Sequence, residues 1–383
     1  MKQRIAFLYL NTGGGHVAPA RALSSGLAER YPETDETHLF NGFSQKMRVC
    51  RFFFEDGYQI SSNYFEASYV LFYRMTEIPQ AIRFGNYFVS IHGEHHLARF
   101  FREKQITKVV CLHEILLIIA RKALARVNPD ASFITLVTDP FTAHGLWFYV
   151  KDTELVVFSQ KLRKEAIEKH GFVPQRVHTF PFILNPAFDR VYTDEEKRAV
   201  RSRLGIAEDQ KVLLIAGGGE GLKSADRIVA HYLRDKSYRS RNEVLLVVCG
   251  RNRLLKMQVQ FMADRSRSKA VRVFGFVSFM PDLLNIADCV ITKGGASTVM
   301  EVLAVGKPVI FSTFIRGQEL GNVLYVVTNG AGWYLKKPKE ILGQARAVLD
   351  NPELATRIRQ NIARLGVRNG LYDVMRFIHE WKQ

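Results

Sequence analysis

The chain contains few cysteines and no long apolar run. Its four cysteines are scattered over 383 residues and form no C-x-x-C pair, which argues against a disulfide framework and against a zinc site. The N-terminal apolar run, Ile5–Leu10, is too short for a signal peptide, and the run Val109–Ala120 is interrupted by His113 and Glu114. No segment approaches the roughly 18 apolar residues that a membrane-spanning helix needs. We therefore expect a soluble or peripheral protein in a reducing cytoplasm.

Acidic residues are also scarce relative to basic ones. The chain has 37 Asp and Glu against 54 Lys and Arg, which gives a net charge of +17. This excess predicts a polyanionic partner, either nucleic acid or an anionic membrane surface. Part of the excess is local, because residues 234–272 hold 11 basic and 3 acidic residues, although a solvated basic face would have the same composition.

Hydrophobic patterning in the second half of the chain predicts a parallel sheet. Between Val273 and Asn322, short apolar runs end at polar or glycine-rich turns and alternate with helix-like segments. Ligands bind such sheets outside the carboxyl ends of the strands. After the predicted strand Cys289–Thr292, Gly294 and Gly295 let the backbone approach a ligand closely. The helix that follows offers its N-terminal N–H groups to a phosphate.

Polar residues further along this stretch suit the rest of a nucleotide sugar. Glu301 lies about one turn into the helix, where a carboxylate can accept both hydroxyls of a ribose. Gln318 and Glu319 follow the next predicted strand on a loop and suit the hydroxyls of a sugar. Helix caps and turns explain each feature taken singly, but their succession on consecutive loops favours a nucleotide site.

The stretch 274–319 resembles the donor half of the GT-B glycosyltransferases, in the branch that holds the peptidoglycan transferase and the galactosyl- and glucosyl-diacylglycerol synthases. The resemblance implies a UDP-sugar donor, with the uracil on the backbone of Phe276 and the diphosphate at the helix start. It further implies that Glu301 holds the ribose and that Gln318 and Glu319 hold the hexose. The implied donor-binding residues are Gly218, Gly219, Arg251, Phe276, Val277, Gly295, Ala296, Ser297, Thr298, Glu301, Gln318, Glu319 and Asn322.

A glycine-rich turn also follows the first predicted strand. The turn Asn11–His16 leads into a predicted helix, Val17–Arg30. Its spacing is not G-x-G-x-x-G, and no acidic residue ends a clear second strand at the expected offset, so NAD binding is not the first choice. The turn resembles the acceptor half of the same branch, which implies that Gly14 and Gly15 open space for the acceptor and that His16 stands at the active-site cleft. A lone histidine at a strand end is otherwise usually a capping or solvated residue.

A second candidate site follows the predicted strand that ends at Thr138. An aspartate at the carboxyl end of a strand, such as Asp139, can serve as a general base for an acceptor hydroxyl. Asp139 could instead cap a helix, and Trp147 could be a core residue. The stretch resembles that of the plant-type galactolipid synthases, which implies catalysis by Asp139, oriented by His16 or relaying through it, and acceptor contact by His144 and Trp147.

The segment Phe43–Phe88 is rich in aromatic residues. It holds 13 of the 44 aromatic residues of the chain, and four arginines are interleaved with them. This mixture suits a membrane interface or single-stranded nucleic acid. Helix core packing is an alternative, because Phe65, Tyr69 and Phe72 follow a helical period. The resemblance favours lipid, since the diacylglycerol branch carries its acceptor-binding insert in this region.

The resemblance implies an α/β fold of the GT-B type, with two facing Rossmann-like domains and a cleft between them. A second glycine turn, Gly217–Gly221, follows the first predicted strand of the second half and matches the turn in the first. We expect an acceptor and membrane-binding domain at 1–186 and a UDP-sugar-binding domain at 187–370. A C-terminal helix at 371–383 is expected to pack back on the first domain.

The implied function is inverting transfer of galactose or glucose from a UDP-sugar to diacylglycerol, by a peripheral protein at the cytoplasmic face of the cell membrane. Neither a cofactor nor a metal is expected, because no Asp-x-Asp signature is present and helix N-termini would stabilise the leaving diphosphate. The alternatives are transfer of N-acetylglucosamine to another lipid-linked acceptor and UDP-sugar epimerisation. A nucleic-acid-binding protein would also explain the charge and the aromatics, although no nucleic-acid partner is expected.

Overall fold

The computed structural model describes residues 2–12, 14–43, 47–52, 90, 93–235, 241–267 and 269–381. The chain forms two compact units. The first comprises Met1–Asn185, Arg316–Gln318 and Asn369–Gln383, and the second comprises Pro186–Ile315 and Glu319–Arg368. Each unit is built on a parallel sheet of six strands with helices between them, which confirms the predicted α/β class.

The sheet of the first unit has the strand order β2-β1-β3-β4-β5-β6, and all of its neighbours are parallel. The strand β1 is buried throughout Ile5–Leu8, as expected for a parallel strand covered on both faces. The chain adds β2 on one side of β1 and then returns to add β3 on the other, so the switch point lies between β1 and β3. The strands are β1 (Gln3–Tyr9), β2 (Asp35–Asn41), β3 (Lys108–Cys111), β4 (Ser132–Leu136), β5 (Glu154–Val157) and β6 (Val177–Thr179).

Helices connect these strands. The helix after β1 begins at Gly14, three residues before the predicted start, so two of the predicted turn glycines lie in its first turn. Its buried face includes Ala20, Leu23 and Leu27, which follow the predicted helical period. The helices are α1 (Gly14–Arg30), α2 (Arg48–Arg51), α3 (93–103), α4 (Leu117–Val127) and α5 (Gln160–Glu168). Apart from residues 43 and 47–52, the predicted aromatic segment Phe43–Phe88 lies outside the described residues.

The sheet of the second unit has the order β12-β11-β10-β7-β8-β9 and is also parallel throughout. Strands β8 and β9 are added on one side of β7, and β10 to β12 on the other, so the switch point lies between β7 and β10. The strands are β7 (Lys211–Ala216), β8 (Glu243–Val248), β9 (Val271–Phe274), β10 (Cys289–Lys293), β11 (Val309–Thr313) and β12 (Gly332–Tyr334).

The helices of the second unit cover both faces of its sheet. The first of them begins with a capping box, in which Thr193 and Glu196 exchange side-chain and backbone hydrogen bonds. The helices are α6 (Asp194–Arg203), α7 (Ala225–Arg234), α8 (Arg253–Ser266), α9 (Met280–Ile286), α10 (Ala296–Ala304), α11 (Leu320–Thr328), α12 (Pro338–Asp350) and α13 (Pro352–Arg364).

The last helix, α14 (Leu371–Glu380), lies with the first unit. The buried Lys108 of β3 donates from Nζ to Gln3 Oε1 and to the carbonyl of Trp381, each at 2.6 Å, and also to the carbonyl of Ile378. A buried ammonium that meets three acceptors is compensated for its loss of water, so Lys108 ties the end of α14 to the sheet. Among the described residues, no helix combines the length and the apolar character needed to cross a bilayer.

Candidate functional site

His16 is buried in the first turn of α1, beside the switch point of the first unit. Its Nδ1 lies 2.7 Å from the carbonyl oxygen of Leu112, which follows β3. Because a carbonyl only accepts hydrogen bonds, Nδ1 carries the ring proton and Nε2 keeps its lone pair. The hydroxyl of Thr138 lies 3.0 Å from the same Nδ1. Burial, together with the neighbouring His113, lowers the pKa of His16 to about 4, so the ring is neutral at physiological pH.

A second buried histidine supports the first. The rings of His16 and His113 lie 4.4 Å apart, and His113 Nε2 lies 3.1 Å from the hydroxyl of Thr12. Burial lowers the pKa of His113 to about 3. In the sequence, His113 stands out only as an interruption of the apolar run Val109–Ala120, and no role was predicted for it or for Thr12. The contact joins loops that are 101 residues apart in the chain, and no local sequence pattern predicts it.

Within the described ranges, one group of side chains has ligand atoms close enough to hold a metal ion, namely His16, His113 and Glu114. Both nitrogens of His113 already face partners, because Nδ1 accepts from the N–H of Ile115 at 3.4 Å and Nε2 meets the Thr12 hydroxyl. The group is therefore arranged as a hydrogen-bond network, in which a metal would have to displace existing bonds.

Asp139 follows β4 and is largely buried. No helix begins at Pro140, and the next helical turn starts at Gly145, so the alternative that Asp139 is a helix cap is wrong. Its Oδ1 accepts a hydrogen bond from Gln318 Nε2 at 3.4 Å, and residues 316–318 group with the first unit. The predicted pair Asp139 and His16 therefore lies at the carboxyl edge of one sheet, joined through Thr138.

The two predicted acceptor contacts on the loop after Asp139 differ from expectation. Trp147 has no exposed surface, and its ring stacks behind His16 with centroids 6.2 Å apart. Because it presents nothing to a substrate, we revise its role from acceptor contact to packing behind His16. His144 is also buried, and its Nδ1 accepts from the N–H of Leu146 at 3.1 Å, which fixes the turn Gly145–Phe148. Gly14 and Gly15 do have open space around them, as predicted.

In the second unit, three loops meet at the carboxyl edge of the sheet. Gly218 in the turn after β7 has a φ of +73°, and a side chain there would approach the hydroxyl of Thr298, which lies in the first turn of α10. The carbonyl of Gly219 accepts from the N–H of Arg251 at 2.8 Å. The guanidinium of Arg251 lies 4.8 Å from the ring centre of the exposed Phe276, which with Val277 follows β9. The predicted uracil and diphosphate residues are thus brought together.

The start of α10 has the features of an anion site. Gly295 occupies the capping position, and no side chain caps the helix, so the N–H groups of Ala296, Ser297 and Thr298 face outward from its first turn. Glu301 lies one turn further in. Although part of its surface is exposed, burial of the carboxyl raises the pKa of Glu301 to about 8.

Two of the predicted donor-binding residues, Glu319 and Asn322, hydrogen-bond to neighbouring loops of the site. Glu319 Oε1 accepts from Lys293 Nζ at 2.9 Å, and its Oε2 accepts from the N–H of Ile315 at 2.9 Å. Asn322 is buried and donates from Nδ2 to the carbonyl of Gly294 at 2.8 Å. Because these polar groups hold the loops, we revise Glu319 and Asn322 from direct donor contacts to positioning residues. The ion pair with Lys293 was not predicted, although Lys293 ends a strand beside Gly294.

The chain is similar in sequence and in fold to known glycosyltransferases. Residues 212–365 match the description "Glycosyltransferase family 28 C-terminal domain". A probable monogalactosyldiacylglycerol synthase 2 of Oryza sativa subsp. japonica is 28% identical over 100% of this chain and 81% of its own length. The monogalactosyldiacylglycerol synthase of Spinacia oleracea is 30% identical over 88% of this chain and 65% of its own. The solved structure of MurG from Acinetobacter baumannii is 14% identical, covers 99% of this chain and 100% of its own, and has a TM-score of 0.65. These likenesses confirm the predicted GT-B fold.

Proposed function

Because the chain belongs to the GT-B glycosyltransferases, in the branch of the monogalactosyldiacylglycerol synthases, we propose that it transfers galactose from UDP-galactose to diacylglycerol at a membrane surface. The names of the relatives that match nearly the whole chain support this sugar and this acceptor. Glucose is the second candidate for the sugar, and an N-acetylglucosamine transfer to another lipid-linked acceptor is the alternative reaction. The net charge of +17 supports a peripheral place on the cytoplasmic face of the cell membrane.

The observation that carries the mechanism is the fixed tautomer of His16. Its Nδ1–H is directed to the carbonyl of Leu112, so the ring cannot pass a proton on to Asp139 through that nitrogen. The proposed base is therefore His16 Nε2, which takes the proton of the acceptor hydroxyl directly. Asp139, which the sequence suggested as the base, supplies a negative charge that stabilises the imidazolium.

The transfer is a single displacement with inversion. The acceptor oxygen attacks the anomeric carbon, its proton goes to His16 Nε2, and the bond between the sugar and UDP breaks. The N–H groups at the start of α10 and the turn Gly217–Gly221 stabilise the charge that develops on the departing diphosphate. The product is a β-galactosyl diacylglycerol.

The proposal is tested by UDP release from the purified protein. UDP-galactose, UDP-glucose and UDP-N-acetylglucosamine are each offered with and without diacylglycerol in anionic vesicles. The proposal predicts release that requires both UDP-galactose and the lipid. Lipid-dependent release with UDP-N-acetylglucosamine alone would establish the alternative reaction, and absence of release with every donor would refute both.

A further inference from the structure

Helix α8 carries an apolar stripe on its outward side. Its inward face consists of Leu255, Val259 and Ala263, which are buried against the sheet of the second unit. On the opposite side, Leu254, Met257 and Phe261 are 63%, 69% and 64% exposed. These three residues recur at i, i+3 and i+7, so they form one continuous stripe, which we call the outer face of α8. Large apolar side chains clustered in this way on an exposed helix mark an interaction surface.

The surroundings of the outer face are strongly basic. Residues 251–269 contain six basic side chains and one acidic side chain, and all seven are exposed. Arg253 and Arg265 flank the stripe on the helix itself, whereas the acidic Asp264 accepts a hydrogen bond from Gln260. Beside Phe261, an open groove between α7 and α8 is bordered by a further exposed cation, Arg227, and by the partly buried Asp226. The outer face therefore suits a partner that is both apolar and anionic.

We propose that the outer face of α8 docks on an anionic lipid bilayer. Leu254, Met257 and Phe261 would enter the boundary between headgroups and acyl chains, and Arg253 and Arg265 would meet the lipid phosphates. A second copy of this chain fits less well, because pairing the same face twice would bring two basic clusters together. Single-stranded nucleic acid also fits less well, because two of the three apolar residues are not aromatic and offer no stacking surface.

This surface belongs to the second unit and consists of residues outside the aromatic segment Phe43–Phe88 of the sequence. The catalytic consequence of docking rests on the proposed function. A donor-binding unit that touches the bilayer would be held where diacylglycerol, the proposed acceptor, resides. Docking itself does not depend on that function, so the two can be tested apart.

Insertion can be observed at a single labelled position. The four native cysteines are all buried, so Met257→Cys introduces an exposed thiol for an environment-sensitive fluorophore. Val191→Cys is the matched control, since Val191 is also in the second unit and is 57% exposed. We expect a blue shift of the label at 257 with phosphatidylcholine–phosphatidylglycerol vesicles, a much smaller one with phosphatidylcholine alone, and none at 191. No shift at 257 while the protein co-sediments with the vesicles would overturn the proposal. A shift that grows with protein concentration in the absence of vesicles would also overturn it, in favour of self-association.

Two variants test the contributions of the apolar and of the charged residues of this surface separately. Leu254→Gln/Met257→Gln/Phe261→Gln should reduce partitioning onto phosphatidylglycerol-containing vesicles by roughly tenfold or more, because three apolar side chains no longer leave water. Arg253→Gln/Arg265→Gln should reduce it roughly tenfold at low salt and less at high salt. The matched controls are Val173→Gln/Val191→Gln and Lys339→Gln/Arg357→Gln, which change exposed residues elsewhere. Equal losses in test and control variants would contradict a specific docking face.

Measurements of transfer activity then distinguish a failure of the docking proposal from a failure of the proposed function. The triple glutamine variant should lose galactosyl transfer to diacylglycerol in vesicles in parallel with its loss of binding. It should keep wild-type turnover on a short-chain diacylglycerol that is dispersed in water. Loss on both acceptors would place the outer face in the catalytic machinery and contradict the docking role. If the wild-type protein bound vesicles through the outer face but transferred no sugar, the proposed function would fail and the docking surface would stand.

Discussion

His16 Nδ1 lies 2.7 Å from the carbonyl oxygen of Leu112, and this contact decides which nitrogen of the ring can act as a base. The carbonyl follows β3 and the histidine follows β1, so the bond crosses the switch point of the first sheet. The lone pair is left on Nε2, and the catalytic proposal depends on that nitrogen.

Substitutions of His16 and Asp139 should differ in severity. His16→Gln removes the base and should lower kcat by roughly 10²–10⁴-fold. Asp139→Asn removes only the charge that stabilises the imidazolium and should cost less, roughly 10–100-fold. Steady-state kinetics with saturating donor measures both, and Lys122→Gln, which changes an exposed residue of α4, is a control that should change little. If Asp139→Asn were the more damaging variant, the base would be Asp139.

The buried histidine pair should make stability depend on pH. The pKa values of His16 and His113 are lowered to about 4 and about 3 in the folded protein, whereas both stay near 6.5 when unfolded. The unfolded state therefore binds more protons below pH 6.5, and the free energy of unfolding should fall as the pH decreases from there toward 4. Each histidine contributes a slope of up to about 1.4 kcal/mol per pH unit. Urea unfolding at several pH values should show a shallower dependence for His113→Asn than for the native protein, and an unchanged slope would contradict the burial of a neutral ring.

Binding of UDP should release a proton. Burial raises the pKa of Glu301 to about 8, so its carboxyl is protonated at neutral pH in the unliganded protein. If this residue accepts both ribose hydroxyls as a carboxylate, UDP binding must expel that proton. Calorimetry in buffers of different ionisation enthalpy should show release approaching one proton for the native protein and none for Glu301→Gln.

The variant Glu301→Gln also distinguishes an effect on UDP binding from an effect on the stability of the fold. Glu301→Gln should weaken UDP binding by roughly 10–100-fold, because one hydroxyl loses its charged acceptor. Folding of the native protein takes up a proton between the usual pKa of 4.5 and the raised value of about 8, so its stability should fall as the pH rises through this range. Glutamine resembles the protonated carboxyl and has no such dependence, so Glu301→Gln should be at least as stable as the native protein at neutral pH and the more stable protein at higher pH. Retained UDP affinity would show that Glu301 does not hold the ribose.

Lys108 should be a stability residue. Lys108→Met leaves the carbonyls of Ile378 and Trp381 without their donor and should lower the free energy of unfolding by about 2–4 kcal/mol. Lys122→Met, an exposed lysine on α4, is the matched control and should stay within about 0.5 kcal/mol of the native protein. Denaturant unfolding compares the two, and equal stability of both variants would mean that α14 is held by other contacts.

Much of the fold could be predicted because its signals are local. The runs that became β1 and β10 are mostly apolar and end at glycine-containing turns. This pattern suffices to predict buried parallel strands and the edge where ligands bind. The start of α1 was placed too late, because glycines were interpreted as a turn when Gly14 and Gly15 in fact lie within the helix.

The supporting contacts could not be predicted, because they join residues distant in the chain. The bond between Thr12 and His113, the burial of Trp147 behind His16 and the pairing of Lys293 with Glu319 all depend on how loops pack at a sheet edge. Sequence patterns supply the type of each side chain and its strand, but not whether its polar atoms face a ligand or another loop.

The proposed galactosyl transfer is tested most directly by identifying the product formed from UDP-galactose and diacylglycerol in anionic vesicles. We predict a galactosyl diacylglycerol with the β configuration, formed in equal amount to the UDP released, by the native protein and not by His16→Gln. Release of UDP without a glycolipid, or a product with the α configuration, would contradict the proposed inverting transfer to the lipid hydroxyl.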